Sequence, residues 1–289
     1  MSTEVYQKKA SSSVFIKESL FKILKFGFLT VFSLLMIYPL YWLITSSVKT
    51  NEEFFSQPYS FPTKIEWENF QRAWEVAGLG QAMINSVIVT IAGTILTVFL
   101  GALTAYVLSR YSFKFKGFLM VFFLLGMLIP VHSTLVPLFT MMNEVGLLDT
   151  YWALILPYTA FELPVAIFLT MAYMGTIPKE LEEAAVIDGS GYWGIFFRVM
   201  LPLSVPAMST VAILAFLRYW NEFVFALVFI NDSSLKTLPL SLAIFSDGFS
   251  TDYALTMAAM TIAVVPTIVM YLIFQEQIMK GMVDGSVKG

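Results

Sequence analysis

Residues 89–109 read VTIAGTILTVFLGALTAYVLS, an apolar run with no charged side chain. A bilayer core needs about 20 such residues in a helix. In hydrocarbon the backbone N–H and C=O groups of a lone segment are satisfied only if they bond within it, so this run dictates a helix. Its many small residues, Gly93 and Gly101 among them, predict close packing against neighbouring helices.

Comparable runs fall at about 26–46, 84–108 (which holds most of the first), 117–142, 151–174, 205–230 and 255–275. Apolar residues make up 58% of the 289, charged residues 13%, and the mean hydropathy is +0.77. Soluble domains are about a quarter charged. The expected fold is an all-α integral membrane protein with six transmembrane helices at 26–276, preceded by a segment at 1–25 and followed by a tail at 277–289. The first run sits behind lysines, as a signal peptide would. It exceeds a signal h-region, however, and no small-residue cleavage site follows, so it reads as a retained helix.

Lysine and arginine in short loops orient the spans. With the N-terminus in the cytoplasm, that side carries Lys8, Lys9, Lys17, Lys22, Lys25, Arg110, Lys114, Lys116, Lys179, Arg198, Lys280 and Lys288. The other side carries Lys49, Lys64, Arg72 and Lys236. The bias predicts both termini inside. The external segment WENFQRAWEVAGLGQAMINS predicts a short amphipathic helix ahead of the second span.

Several functions are excluded. Cysteine is absent and His132 stands alone, which removes disulfides and the usual thiolate or histidine metal sites. No basic patch interleaved with aromatics points to nucleic acid. There is no G-x-x-x-x-G-K-[ST] phosphate loop and no HExxH or paired-acid motif, so no catalytic residue is expected. By eye there is no internal repeat, which disfavours a secondary carrier with duplicated halves.

The most informative loop, at about 175–203, reads GTIPKELEEAAVIDGSGYWGIFFRVMLPLSVPAM into the next span. Pro178 suits a helix start, and Glu180, Glu182 and Glu183 suit the positive end of its dipole. Leu181, Ala184, Ala185 and Asp188 then share roughly one face. Gly189 and Gly191 stop the helix. The expectation is a short surface helix offering acids and small side chains to a cytoplasmic partner.

This pattern resembles the EAA loop of binding-protein-dependent ABC importers: Glu183-Ala184-Ala185, three residues, Gly189, nine residues, then Val199-Met200-Leu201-Pro202, with Val199 where the family has Ile. Trp220-Asn221-Glu222-Phe223 is similar to a signature of carbohydrate permeases, specifically the shorter partner of the maltose-type heterodimer. Pro130 and Pro137 match its paired third-span prolines, and His132 stands where that family has Gln. The ending through Gly281, Gly285, Lys288 and Gly289 resembles its usual terminus.

The resemblance implies a permease subunit in a prokaryotic inner membrane, importing a sugar or oligosaccharide. Glu183, Ala184, Ala185, Asp188, Gly189, Leu201 and Pro202 would dock an ATPase, and Gly281, Gly285 and Lys288 would carry a tail contact with it. It further implies a second permease subunit, two ATPase subunits that use ATP and Mg, and an extracytoplasmic sugar-binding protein. This chain would itself bind no cofactor. Another solute, such as a glycerol phosphate ester or polyamine, and an ion-coupled carrier remain the alternatives.

Ionisable groups inside spans are costly and default to function. Glu162, Arg218 and Glu222 qualify. Arg218 can neutralise Glu222, four residues on, or the more distant Glu162, while Asn221 and Glu222 are the expected residues of the translocation path or its gate. His132 reads best as a polar group hydrogen-bonded to a neighbouring helix.

Overall fold

The structure, a computed structural model, describes residues 2–246 and 252–286, with side chains over 21–245 and 252–275. Every regular element among these residues is helical. In order these are α1 (Ser2–Ser47), α2 (Asn51–Ser56), α3 (Glu68–Val76), α4 (Leu79–Arg110), α5 (Lys116–Gly126), α6 (Leu135–Glu144), α7 (Trp152–Met174), α8 (Glu180–Ile187), α9 (Tyr192–Ile195), α10 (Leu201–Leu203), α11 (Val205–Trp220), α12 (Val224–Phe229), α13 (Leu238–Leu242) and α14 (Tyr253–Ser286). Contacts divide the chain into two units, 1–72 with 251–261 and 73–250 with 262–289.

Within α1, α4, α7 and α14 lie uninterrupted stretches long and apolar enough to cross a membrane. The other two expected spans are broken. The third turns by 97° between Lys116–Gly126 and Val131–Glu144. Pro130 stands in that break, having no N–H to give a helix and restricting the residue before it. Pro137 falls in the first turn of α6, where proline is tolerated, so it is not a kink. The fifth expected span, 205–230, is not one helix. α11 ends at Trp220, Asn221 caps it, and α12 restarts at Val224. Upstream, Tyr192–Leu203 and Val205–Trp220 meet at 73°.

Helices also run past both outer boundaries. α1 runs unbroken from Ser2, since residues 2–25 contain neither Gly nor Pro to stop it, so no helix break marks 25/26. α14 continues to Ser286 through Gly281 and Gly285, each costing a helix only about 1 kcal/mol. Lys288 and Gly289 lie outside the described residues.

The second unit is built around α4, α7 and α11. Its main apolar cluster joins Val89 of α4, Leu154, Ile155 and Tyr158 of α7, and Ala215 and Tyr219 of α11, closed by Phe225 and Phe229 of α12. The two glycines serve different contacts. A Cβ on Gly101 would stand 2.8 Å from Cβ of Ala166 in α7, and one on Gly93 3.2 Å from the Tyr219 ring of α11.

Candidate functional site

α8 is the helix expected in the loop, and no residue in it is fully buried. Its start differs in detail: Lys179 is the N-cap and Pro178 lies one residue further out. Its end is a Schellman motif. The Ser190 N–H donates to the Ala185 carbonyl at 2.9 Å and the Gly189 N–H to the Val186 carbonyl at 3.0 Å. Gly189 sits at φ +81°, a left-handed conformation that glycine adopts without strain. Gly191 is extended and caps the start of α9, so it opens the next helix rather than stopping this one.

The two alanines part company, because adjacent helical positions point about 100° apart. Ala184 is exposed with Glu183, Asp188 and Gly189. Ala185 packs into the chain's own cluster of Tyr106, Met174, Ile195 and Phe196, as does Leu201, so neither belongs to the free face. Pro202 is exposed. The free face also shows Leu181, Val186 and Ile187, the last 86% exposed.

What fixes α8 was not legible in the sequence. Arg110, in the last turn of α4, ion-pairs with Glu182 at 2.7 Å. It also donates to the Ile177 carbonyl at 2.7 Å. Both side chains are largely shielded from solvent. Burial pushes the Glu182 carboxyl above its ordinary value, while Arg110 and Lys179 pull it down. Glu182 faces inward from the middle of the acidic turn, and only its charge hinted at a partner. Next to this joint, Phe196–Met200 form a π-helical turn, a wider coil often found at functional positions. A crevice of about 330 Å³ opens there between Leu103, Tyr106 and Tyr111 on one side and Tyr192, Trp193 and Phe196 on the other.

The second group surrounds the break after α11. Arg218 pairs with Glu162 of α7 at 2.5 Å and not with Glu222. Glu222, expected at the path, is half-buried and hydrogen-bonded within the chain. It accepts from the Tyr158 hydroxyl at 2.5 Å and from the N–H groups of Phe225 at 2.7 Å and Ala226 at 3.3 Å. A carboxylate there satisfies the orphan donors that open α12. Tyr219 donates to the Tyr158 carbonyl at 2.9 Å and meets the Thr97 hydroxyl at 2.7 Å. Asn221 is exposed, with its Nδ2 donating to Leu217 of its own helix at 2.7 Å. Of its two expected partners Arg218 takes the more distant one, because the helix stops at Trp220 and four-residue spacing no longer applies to Glu222. His132 is exposed at the third-span bend, and its imidazole has no hydrogen-bond partner among the described residues.

A third arrangement lies at the other end of α4. Asn85 is fully buried and uses its whole amide. Its Nδ2 donates to the carbonyls of Ser234 at 2.8 Å and Lys236 at 2.9 Å, and its Oδ1 accepts from Gln81 at 2.9 Å and the Tyr151 hydroxyl at 2.8 Å. Ser86 accepts from the Leu238 N–H at 2.7 Å, and Ser241 donates to the Ala77 carbonyl. Asp149 accepts the N–H groups of Asn231 at 2.5 Å and Asp232 at 2.9 Å, contacts that hold its carboxyl below the ordinary 3.8. A lowered folded-state value stabilises above the unfolded value and is lost as pH falls through it. The melting-temperature difference between wild type and Asp149→Asn should therefore hold from about pH 7 to about pH 5 and shrink below about pH 4.

Comparison with known proteins gives a consistent result. The family profile described as binding-protein-dependent transport system inner membrane component matches residues 97–283. The chain is 43% identical over 262 residues to the probable ABC transporter permease protein YurM of Bacillus subtilis, covering 91% of this chain and 87% of that protein. It is 36% identical over 268 residues to the diacetylchitobiose uptake system permease protein NgcG of Streptomyces coelicolor, covering 92% and 89%. Among solved structures, a chain of a bacterial ABC transporter involved in importing the acidic polysaccharide alginate shares the fold, with a TM-score of 0.78 at 21% identity over 90% of this chain and 97% of that one.

Proposed function

This chain belongs to the family of binding-protein-dependent transport system inner membrane components, and on that premise we propose that it lines part of the path by which an ATP-driven importer takes up a sugar or oligosaccharide. It is a multi-pass inner-membrane permease subunit, and ATP hydrolysis belongs to a separate subunit. The carbohydrate assignment is supported by the relative named for diacetylchitobiose uptake and by the Trp220-Asn221-Glu222-Phe223 string. The lysine and arginine bias supports both termini in the cytoplasm, with α8 on that side.

The observation that carries the reading is α8 itself. It is a helix closed by Gly189, bolted to α4 through Arg110 and Glu182, with an exposed outer face of Glu183, Ala184, Val186, Ile187 and Asp188. A short helix held rigidly from behind and bare in front is suited to receive an ATPase. The remaining assembly is a second permease chain, two ATPase subunits using ATP and Mg, and a sugar-binding protein outside. The tail through Gly281, Gly285 and Lys288 adds a second ATPase contact. Asn221 lines the path.

Glu183→Ala and Gly189→Val test the docking role. Both should leave the chain inserted, yet lower substrate-stimulated ATP hydrolysis severalfold and reduce the ATPase that copurifies. Valine at φ +81° adds about 1–2 kcal/mol of local strain. Normal stimulated hydrolysis in both variants removes this helix from the coupling step.

A further inference from the structure

The unit containing α1 holds a buried charged side chain outside the sites described above. Lys49, two residues past the end of α1, is fully buried, which is rare for lysine and costly unless its ammonium is hydrogen-bonded. Its Nζ donates to the carbonyls of Gln57 at 2.8 Å and Pro58 at 3.2 Å. The Pro58 carbonyl also accepts from Trp42 Nε1 at 3.0 Å, and the Phe61 ring stands edge-on to Tyr41 with centroids 5.9 Å apart. Tyr41 and Trp42 lie about 8 Å back from the end of α1 at Ser47, at 1.5 Å per residue. The turn 57–61 thus doubles back along the flank of the spanning helix instead of projecting past its end.

At the tip of that turn Tyr59 is 77% exposed and Phe61 73%. The flank beside them is also apolar and exposed, through Ile37, Tyr38, Tyr41 and Ile44. Just beyond the turn Lys64 and Glu66 pair at 2.8 Å, Lys64 being largely exposed, in a stretch that also exposes Ile65 and Trp67. Large aromatic rings gather at the headgroup boundary of a bilayer, and amphipathic elements seat about 5–10 Å into it. A setback of about 8 Å from the end of α1 is of that order.

We propose that the turn 57–61 is a lipid-seated wedge, inserting Tyr59 and Phe61 into the leaflet where α1 ends and held at that depth by Lys49 and Trp42. The occupant is the phospholipid boundary, because the wedge continues the exposed flank of a spanning helix and is tied to it rather than raised above it.

The chain has no cysteine, so single nitroxide labels can be placed at Tyr59→Cys, Phe61→Cys and, as a water-facing reference, Lys64→Cys. The full chain, with the subunits that copurify, is reconstituted into vesicles of phosphatidylethanolamine and phosphatidylglycerol. Collision with oxygen relative to a water-soluble nickel chelate should be several-fold higher at positions 59 and 61 than at 64. Ratios equal to that at 64 would mean the turn faces water, and low collision with both reagents would mean a protein covers it; either overturns the wedge. Adding Lys49→Met or Trp42→Phe to the position-59 label should lower its ratio toward the reference. An unchanged ratio in both overturns the anchoring by Lys49 and Trp42.

Discussion

Arg218→Ala should lower the stability of the chain by as much as about 3–5 kcal/mol, the usual cost of leaving one member of a buried ion pair alone. Glu162 lies midway along α7 and is 5% exposed, with Arg218 its cation at 2.5 Å. Arg218 itself is 62% exposed in the single chain, so the loss belongs to the stranded carboxylate and the figure is an upper bound. Melting in detergent is the measurement, and Arg218→Ala combined with Glu162→Gln should recover much of the loss. A single Arg218 variant that melts like wild type would show that the pair supports nothing. Asn221→Ala, by contrast, removes only one bond to its own helix and should lower transport at normal expression.

Asn85→Ala is the second large effect. The substitution removes two donated and two accepted hydrogen bonds at a site without solvent. Each buried polar group left unmade costs about 1–3 kcal/mol, and the Tyr151 hydroxyl and two carbonyls are at stake. Loss of several kcal/mol is expected, together with faster proteolysis in the segment 231–242. Asn85→Asp keeps the acceptor and loses the donors, so it should release the Ser234 and Lys236 carbonyls while keeping Tyr151 in place. If the segment 231–242 in Asn85→Ala resists protease as wild type does, Asn85 is not its anchor.

Hydrophobic run length carried most of the fold, because hydrocarbon allows the backbone so few solutions. It could not show that two of the runs are broken. Pro130 was visible as a proline, but whether a proline kinks a span or opens a turn depends on its position in the helix. At 205–230 nothing marks the stop at Trp220. Asn221-Glu222-Phe223 contains no Gly or Pro, and the break is held by Tyr158 reaching Glu222 from α7, a contact 64 residues away. Distance in sequence hid the other joints too. In sequence Arg110 and Glu182 are only charges, one bearing on topology and one on a helix dipole, and their pairing is tertiary. Gly189 was legible because a left-handed cap is a local demand. Ala185 was not, because which of two adjacent alanines faces inward depends on how the helix is seated.

α4 has a property that belongs to neither of its ends alone. It spans 32 residues, about 48 Å at 1.5 Å per residue, with no proline and no break. One end grips α8 through Arg110, and the other grips the segment after α12 through Asn85. Asn85 and Arg110 stand 25 residues apart on this one helix, about 38 Å, so a shift of the helix along its axis would load both fastenings together.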